Sequence, residues 1–569
     1  MPTVMPASSA VDPFSQRCGV ICEAVGLPQA VGEPFIRHVQ AVGDSIGATA
    51  YGDRADQAAA YLVSFAYFGR IATSEESSRI AQLLAHESPA EVDRSLKAWP
   101  ASNELAAKMH LAPTDADVTY VDVSHTVFTK RNSGIQRVVR QLAEALSAST
   151  HRHTFVLFDP QLRGYRELNA AELEQLLDWE KFCTFATKKT GEPRQASRFK
   201  QWRKKAGRTR FGQPVRQLAR VFRDRSRELR RWLKTRPQLV TDPVVCRPAA
   251  ACFFWQANLL VPELIGNPIQ VDVLASVLAT APLRSTLIVY DLLPITHPEC
   301  FENEAPAGFV QYLTLLRHVD QVSCISSTIR NQVESLIKAI PRTKPSPRLA
   351  AHLLTGDFRY RPSTTGVATS SSQPEPVVLC VGTIEPRKNQ TRILRAMVAA
   401  QQDGHRFRGV FAGSAGWLNG QFRDELQRAR ARGIQVELYE NISDEALAQL
   451  YRTASLTVYC SIAEGFGLPI VESVMAGVPC LTSSVGSMQE IAEQLGGCSL
   501  VDPYSPDAIA KSLAMLVSDR NELARLTEEA RQARWHSWSD YCEDVMAFVD
   551  ANSATSLQFP ADQGLAQAS

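Results

Sequence analysis

The stretch Glu464-Gly465-Phe466-Gly467-Leu468-Pro469-Ile470-Val471-Glu472 sets two carboxylates eight positions apart around a Gly-Phe-Gly turn. The apolar run Leu456 to Tyr459 before it reads as a buried strand. Pro469 suits the first turn of a helix, and Gly477 with Pro479 suits its end. The stretch is a strand, a glycine elbow and a short helix, and such units in series build an α/β domain. Glu464 falls where the strand gives out. Glu472 is expected in the first turn or so of the helix, where the dipole favours a negative charge. Both carboxylates can accept hydrogen bonds from one polyhydroxylated ligand, and the free amides of the elbow suit a phosphate or sugar oxygen. Alone, two glutamates at this spacing would more simply be a solvated helix face. Their neighbours decide otherwise.

Upstream, a strand at Pro376 to Val381 leads into Gly382-Thr383-Ile384-Glu385-Pro386-Arg387-Lys388-Asn389 and a helix carrying Ile393, Leu394 and Met397. Strands follow at Val410 to Ala412 and Ile434 to Leu438, then a helix from the cap Ser443 to Tyr451. Beyond the elbow, Gly486-Ser487-Met488-Gln489-Glu490 reads as another helix entrance. In this order the motifs closely resemble the donor-binding half of retaining glycosyltransferases of family 4. These have the α/β GT-B fold, two Rossmann-like doubly wound domains facing a cleft.

The resemblance covers roughly residues 115 to 550 and is strongest in the C-terminal half. It implies transfer of a hexose or deoxyhexose from a nucleotide sugar to a hydroxyl, with the anomeric configuration retained. Glu472 would then bind the donor ribose, Glu464 would contact the sugar, and Lys388 with Arg387 would hold the diphosphate. Cations belong there because the departing diphosphate develops charge that must be stabilised. Gly382, Thr383, Asn389, Gly465, Phe466, Gly467 and Leu468 complete the expected donor site. Many relatives carry an arginine where this chain has Thr383. The family scheme of front-face attack calls for no metal, no cofactor and no protein nucleophile. The Gly382 to Asn389 run looks like the version in O-antigen mannosyltransferases, which makes GDP-mannose the first donor to consider, with dTDP-rhamnose and UDP-hexoses open.

The N-terminal half is less explicit. Residues 1–112 are Ala-rich and helical in pattern and are expected to form a helical accessory domain. From Val118 the pattern changes to a strand through Val123, a polar loop from Ser124 to Gly134, and a helix marked by Ile135, Val138, Val139, Leu142 and Leu146. The segment Asp122 to His125 with Ser133 to Arg137 looks like the first loop of the acceptor-side domain in some bacterial members. Gly134 and Arg137 would there approach the donor phosphates. Strands expected at Thr154 to Phe158, Ala250 to Trp255, Ser285 to Tyr290 and Gln321 to Ile325 suit a parallel sheet. Ligands bind beyond the carboxyl ends of such strands, so the loop with Asp291 and His297 should face the cleft. It resembles the Asp-Leu-Ile-Pro loop of the same relatives, with Tyr290 where a histidine is common. Asp291 is the expected catalytic residue of this half, and His125 and His297 are acceptor-side candidates.

The domain boundaries read as 1–112, 115–362, 375–535, a crossover helix at 536–551 and a disordered tail at 552–569, with a linker at 363–376. The chain of 569 residues carries a net charge of only +2, yet residues 188–236 hold 19 lysines and arginines against three acids. This insertion can form a basic amphipathic helix suited to an anionic membrane surface, with nucleic acid the less favoured partner. The twelve cysteines are scattered, without metal-site spacing, and read as reduced thiols. Met1 to Phe14 shows no targeting pattern and no apolar run is long enough to span a bilayer. A cytoplasmic enzyme on the inner face of the plasma membrane is expected. Its acceptor would be lipid-linked or an oligosaccharide in bacterial surface or exopolysaccharide assembly, and the alternative is a catalytically silent scaffold of such an assembly.

Overall fold

The computed structural model describes residues 12–47, 55–99, 110–129, 134–178, 250–301, 305–356 and 375–551. The basic segment 188–236, residues 363–374 of the linker and the tail 552–569 lie outside them.

The chain opens with the helices Pro13–Val25, Glu33–Gly47, Ala55–Phe68, Ser74–His86 and Pro89–Ala98. Thr73 with Glu76 and Ser88 with Glu91 form capping boxes, so the starts of the last two are written locally. The apolar faces of these helices pack onto the next unit in one continuous core. Tyr61 stacks on Phe253, Phe65 meets the same ring edge-on, and Ser276 Oγ donates to the Ala72 carbonyl at 2.7 Å.

The strands in chain order are β1 (Leu111–Pro113), β2 (Thr119–Asp122), β3 (His153–Asp159), β4 (Gly164–Glu167), β5 (Ala251–Phe253), β6 (Asn258–Val261), β7 (Arg284–Val289), β8 (Gln321–Cys324) and β9 (Arg348–Ala351). The second set is β10 (Val377–Val381), β11 (Arg408–Ala412), β12 (Val436–Tyr439), β13 (Leu456–Tyr459), β14 (Cys480–Ser483) and β15 (Cys498–Val501). One sheet runs β4-β3-β2-β6-β7-β8-β9 and the other β12-β11-β10-β13-β14-β15. All neighbours in both are parallel except β3 with the edge strand β4. Central strands such as β2, β6, β13 and β14 are buried at every position, as parallel strands covered by helices on both faces must be. The fold is thus α/β with two doubly wound sheets and a helical N-terminal region.

Two expectations are corrected here. The run Ala250 to Trp255 is not a strand of the main sheet: β5 pairs with β1 in a two-stranded sheet, and the main-sheet strand is β6. Gln256, with φ of 54°, turns the chain between them, so one apolar run becomes two short strands. Nor is Ser124 to Gly134 wholly a loop, because Ser124–Phe128 is a helix. Its cap comes from Glu263, whose carboxylate accepts from the backbone N–H groups of His125 (2.5 Å) and Thr126 (2.6 Å).

The last helix, Trp538–Asp550, returns to the first sheet's domain. It packs on Gly134–Ala148, and Gln321 Nε2 donates to the Phe548 carbonyl at 3.0 Å. Trp535 Nε1 donates to the Leu354 carbonyl at 2.9 Å, fixing the crossing point.

Candidate functional site

The segments that follow β7, β10 and β13 come together where the two halves of the molecule touch. After β10 the backbone passes Gly382 at φ 139° and Thr383, which is exposed, and enters the tight turn Pro386–Lys388. Asn389 ends that turn at φ 63°, a conformation asparagine tolerates well. Its side-chain amide donates to the carbonyls of Cys460 and Pro503, both at 2.8 Å. The Ile462 N–H donates to the Arg387 carbonyl at 2.8 Å. The Arg-Lys turn is therefore strapped to the segment that leads from β13 into the elbow. Asn389 serves this strapping rather than offering its amide to a ligand.

Strapping delivers the side chains to one point. Glu464 Oε1 lies 2.6 Å from Lys388 Nζ, and Glu464 Oε2 is bonded to Arg387 Nη1. Arg387 Nη2 reaches Glu385 Oε1 at 2.7 Å, so this guanidinium is gripped by two carboxylates. Tyr459 OH donates to Glu464 Oε1 at 2.8 Å. All of these side chains are largely buried. Burial by itself would raise the Glu464 carboxyl, but Arg387 and Lys388 outweigh it and hold the group at about 2. Burial pulls the Lys388 ammonium down in spite of Glu464, and burial raises Glu385 and Asp291. Asp291, beyond the end of β7, feels the charges of Arg387, Glu464 and Lys388 from the opposite domain.

The elbow touches that domain directly. A side chain at Gly465 would run into the Tyr290 carbonyl oxygen and the Asp291 Cβ, and Ser326 Oγ donates to the Gly465 carbonyl at 2.9 Å. Phe466 is buried, its carbonyl and that of Glu464 taken by Ser487 Oγ at 2.7 and 2.8 Å. Gly467 adopts φ 140° as Leu468 opens the helix Leu468–Met475. We expect Gly465→Ala to force the domains apart, lowering stability by about 1–3 kcal/mol. A melting temperature equal to that of the wild type would contradict this.

Glu472 sits in the second turn of that helix, not the first, so the dipole contributes little to its charge. Long-range partners hold it instead: Arg137 Nη2 lies 3.2 Å from Oε1 and Tyr451 OH donates to Oε2 at 3.0 Å. Arg137 projects from the helix Gly134–Ala148 of the other domain, which Gly134 begins at an exposed position. Both histidines bond elsewhere: His125 Nδ1 with Gln136 Nε2 at 2.9 Å and His297 Nδ1 with Thr296 Oγ1 at 3.0 Å.

The structure thus gathers Glu464, Lys388, Arg387 and Asp291, and pairs Glu472 with Arg137. Sequence reasoning missed Tyr459, Glu385, Tyr451 and Glu263. A tyrosine closing a buried strand five residues before Glu464 was the signal available for the first, and Glu385 stands two residues from Arg387. Tyr451 and Glu263 carry no local signal.

Residues 367–533, which hold the Arg-Lys turn and the elbow, match the family model of glycosyl transferases group 1. Among similar proteins, the serotype-specific mannosyltransferase WbdA of Escherichia coli is 26% identical over 297 residues, covering 50% of this chain and 35% of that protein. The O-antigen chain mannosyltransferase B of Escherichia coli is 32% identical over 164 residues, covering 28% of this chain and 42% of that protein. The chain therefore spans less than half the length of these curated relatives. Among solved structures, Anabaena Alr3699/HepE in complex with UDP and glucose aligns over 76% of this chain and 99% of that one, at 15% identity and a TM-score of 0.46.

Proposed function

We propose that this protein is a retaining glycosyltransferase that moves a hexose or deoxyhexose from a nucleotide sugar to a hydroxyl of a lipid-linked or saccharide acceptor in bacterial surface polysaccharide assembly. One observation carries the reading: Lys388, Arg387 and Glu464 converge in a buried cluster at the crevice, inside the domain that matches group 1 glycosyl transferases. The mannosyltransferase names of the relatives support GDP-mannose as the first donor to test.

In this reading the diphosphate lies against Lys388 and the elbow amides, and Glu464 and Glu472 meet the hydroxyls of the sugar and ribose. As the glycosidic bond of the donor breaks, the Lys388 ammonium faces the charge growing on the departing phosphate. That phosphate takes the acceptor proton on the same face, so no metal, cofactor or protein nucleophile is required. Asp291 borders the reacting centre from the acceptor side. The basic segment 188–236 would hold the protein on an anionic membrane surface, each basic residue near the headgroups contributing about 1 kcal/mol. Among the described residues no helix is long and apolar enough to cross a membrane.

The test is release of nucleoside diphosphate from a panel of nucleotide sugars with a lipid-linked acceptor, run with and without a chelator and paired with thermal shifts. A true donor at 100 times its Kd stabilises the protein by about 2.7 kcal/mol. No release and no shift with GDP-, dTDP- and UDP-sugars would refute the proposal, and loss of activity on chelation would refute its metal-independent form.

A further inference from the structure

Glu464 and Lys388 are held together by a third group that the mechanism above does not use. Tyr459 is the last residue of β13, 4% exposed, its backbone registered against Thr482 of β14 and its carbonyl bonded by Thr482 Oγ1 at 2.9 Å. Its phenol oxygen accepts from Lys388 Nζ at 2.5 Å while its O–H donates to Glu464 Oε1 at 2.8 Å. Lys388 Nζ also reaches Glu464 Oε1 directly at 2.6 Å, closing a triangle. Two of its corners are movable, a four-carbon side chain and a loop carboxylate. The third is fixed by a central strand.

We propose that Tyr459 is a positioning residue for the transfer step: its hydroxyl sets where the Lys388 ammonium waits and keeps Glu464 bonded when that ammonium turns to the departing diphosphate. This deepens the glycosyltransferase reading and rests on it. The physical reason is the asymmetry of the two roles a hydroxyl can play at once. Accepting from Lys388, it offers the ammonium a neutral partner that is readily left for a phosphate. Donating to Glu464, it maintains one hydrogen bond to a buried carboxylate that would otherwise lose a partner during the reaction. Burial raises the phenol far beyond its ordinary range, so the donated proton stays in place. Without the hydroxyl, the direct pair with Glu464 would be the ammonium's one remaining partner within the triangle, a charged one, and the ammonium would be harder to recruit.

Tyr459→Phe keeps the ring and its packing and removes only the hydroxyl. The expected result is a fall of about tenfold or more in kcat for nucleoside diphosphate release, with donor KM within about threefold of wild type. In a Lys388→Ala background the same substitution should cost almost nothing further, because its effect passes through Lys388. An unchanged kcat, an equal loss in the Lys388→Ala background, or a rise in KM matched by a drop in melting temperature would each overturn the assignment while leaving the glycosyltransferase reading intact. A wild-type protein that releases nothing from any donor would overturn both.

Discussion

In Lys388→Ala, nucleoside diphosphate release is expected to fall about a hundredfold or more while the fold survives. The fold survives because Glu464 keeps Arg387 and the Tyr459 hydroxyl, so the carboxylate is not left unpaired. In the proposed reaction the rate should fall because Lys388 is the better placed of the two cations to follow the leaving group. Arg387 is pinned between Glu464 and Glu385, whereas Lys388 hangs on a flexible stem against a tyrosine and one carboxylate. Lys388→Arg should not restore activity, since a planar fork cannot occupy the site of a compact ammonium bonded to Tyr459. Single-turnover kinetics separate the chemical step from donor binding. A rate within about threefold of wild type would remove Lys388 from the mechanism.

Glu464→Ala is expected to be worse, because it damages both fold and chemistry. It leaves two buried cations without their shared counter-charge, and breaking a buried pair this way typically costs about 3–5 kcal/mol. Glu464→Gln keeps the shape and one acceptor and should lose less stability while remaining poorly active. The sign of the acid dependence follows from the direction of the shift. The Glu464 carboxyl is depressed from its ordinary 4.5 to about 2, so its contribution is full above the unfolded value and disappears as pH falls through about 2. The stability gap between wild type and Glu464→Gln should therefore be widest near neutrality and shrink below about pH 4.5. Melting curves across that range check it. A gap that does not change with pH would mean that Glu464 is not held ionised by Arg387 and Lys388.

Much of the domain of the second sheet was legible because its signals are local. Gly467, Pro469, Gly477 and Pro479 punctuate the chain where the elbow helix starts and stops, and the apolar run Leu456 to Tyr459 is the buried strand β13. The domain of the first sheet was less legible for the opposite reason. Ser124–Phe128 looks polar and loop-like because its helix cap comes from Glu263, 138 residues away. A single apolar run from Ala250 to Val261 does not announce that Gln256 divides it between two sheets. The local pattern places Glu472 in the right helix, but Arg137 and Tyr451, distant in the chain, hold its carboxylate where the helix dipole contributes little.

The sequence by itself determined the repeating strand-turn-helix units and the chemistry of the residues at their carboxyl ends, since periodicity and turn residues act within a few positions. Only the tertiary structure decided which of those residues meet: Arg387 and Glu464 across 77 positions, Arg137 and Glu472 across 335, and Tyr459 between Lys388 and Glu464. The reason is physical. Strand order and domain docking bring together side chains from units far apart in the chain, and whether a buried charge finds a partner depends on that docking.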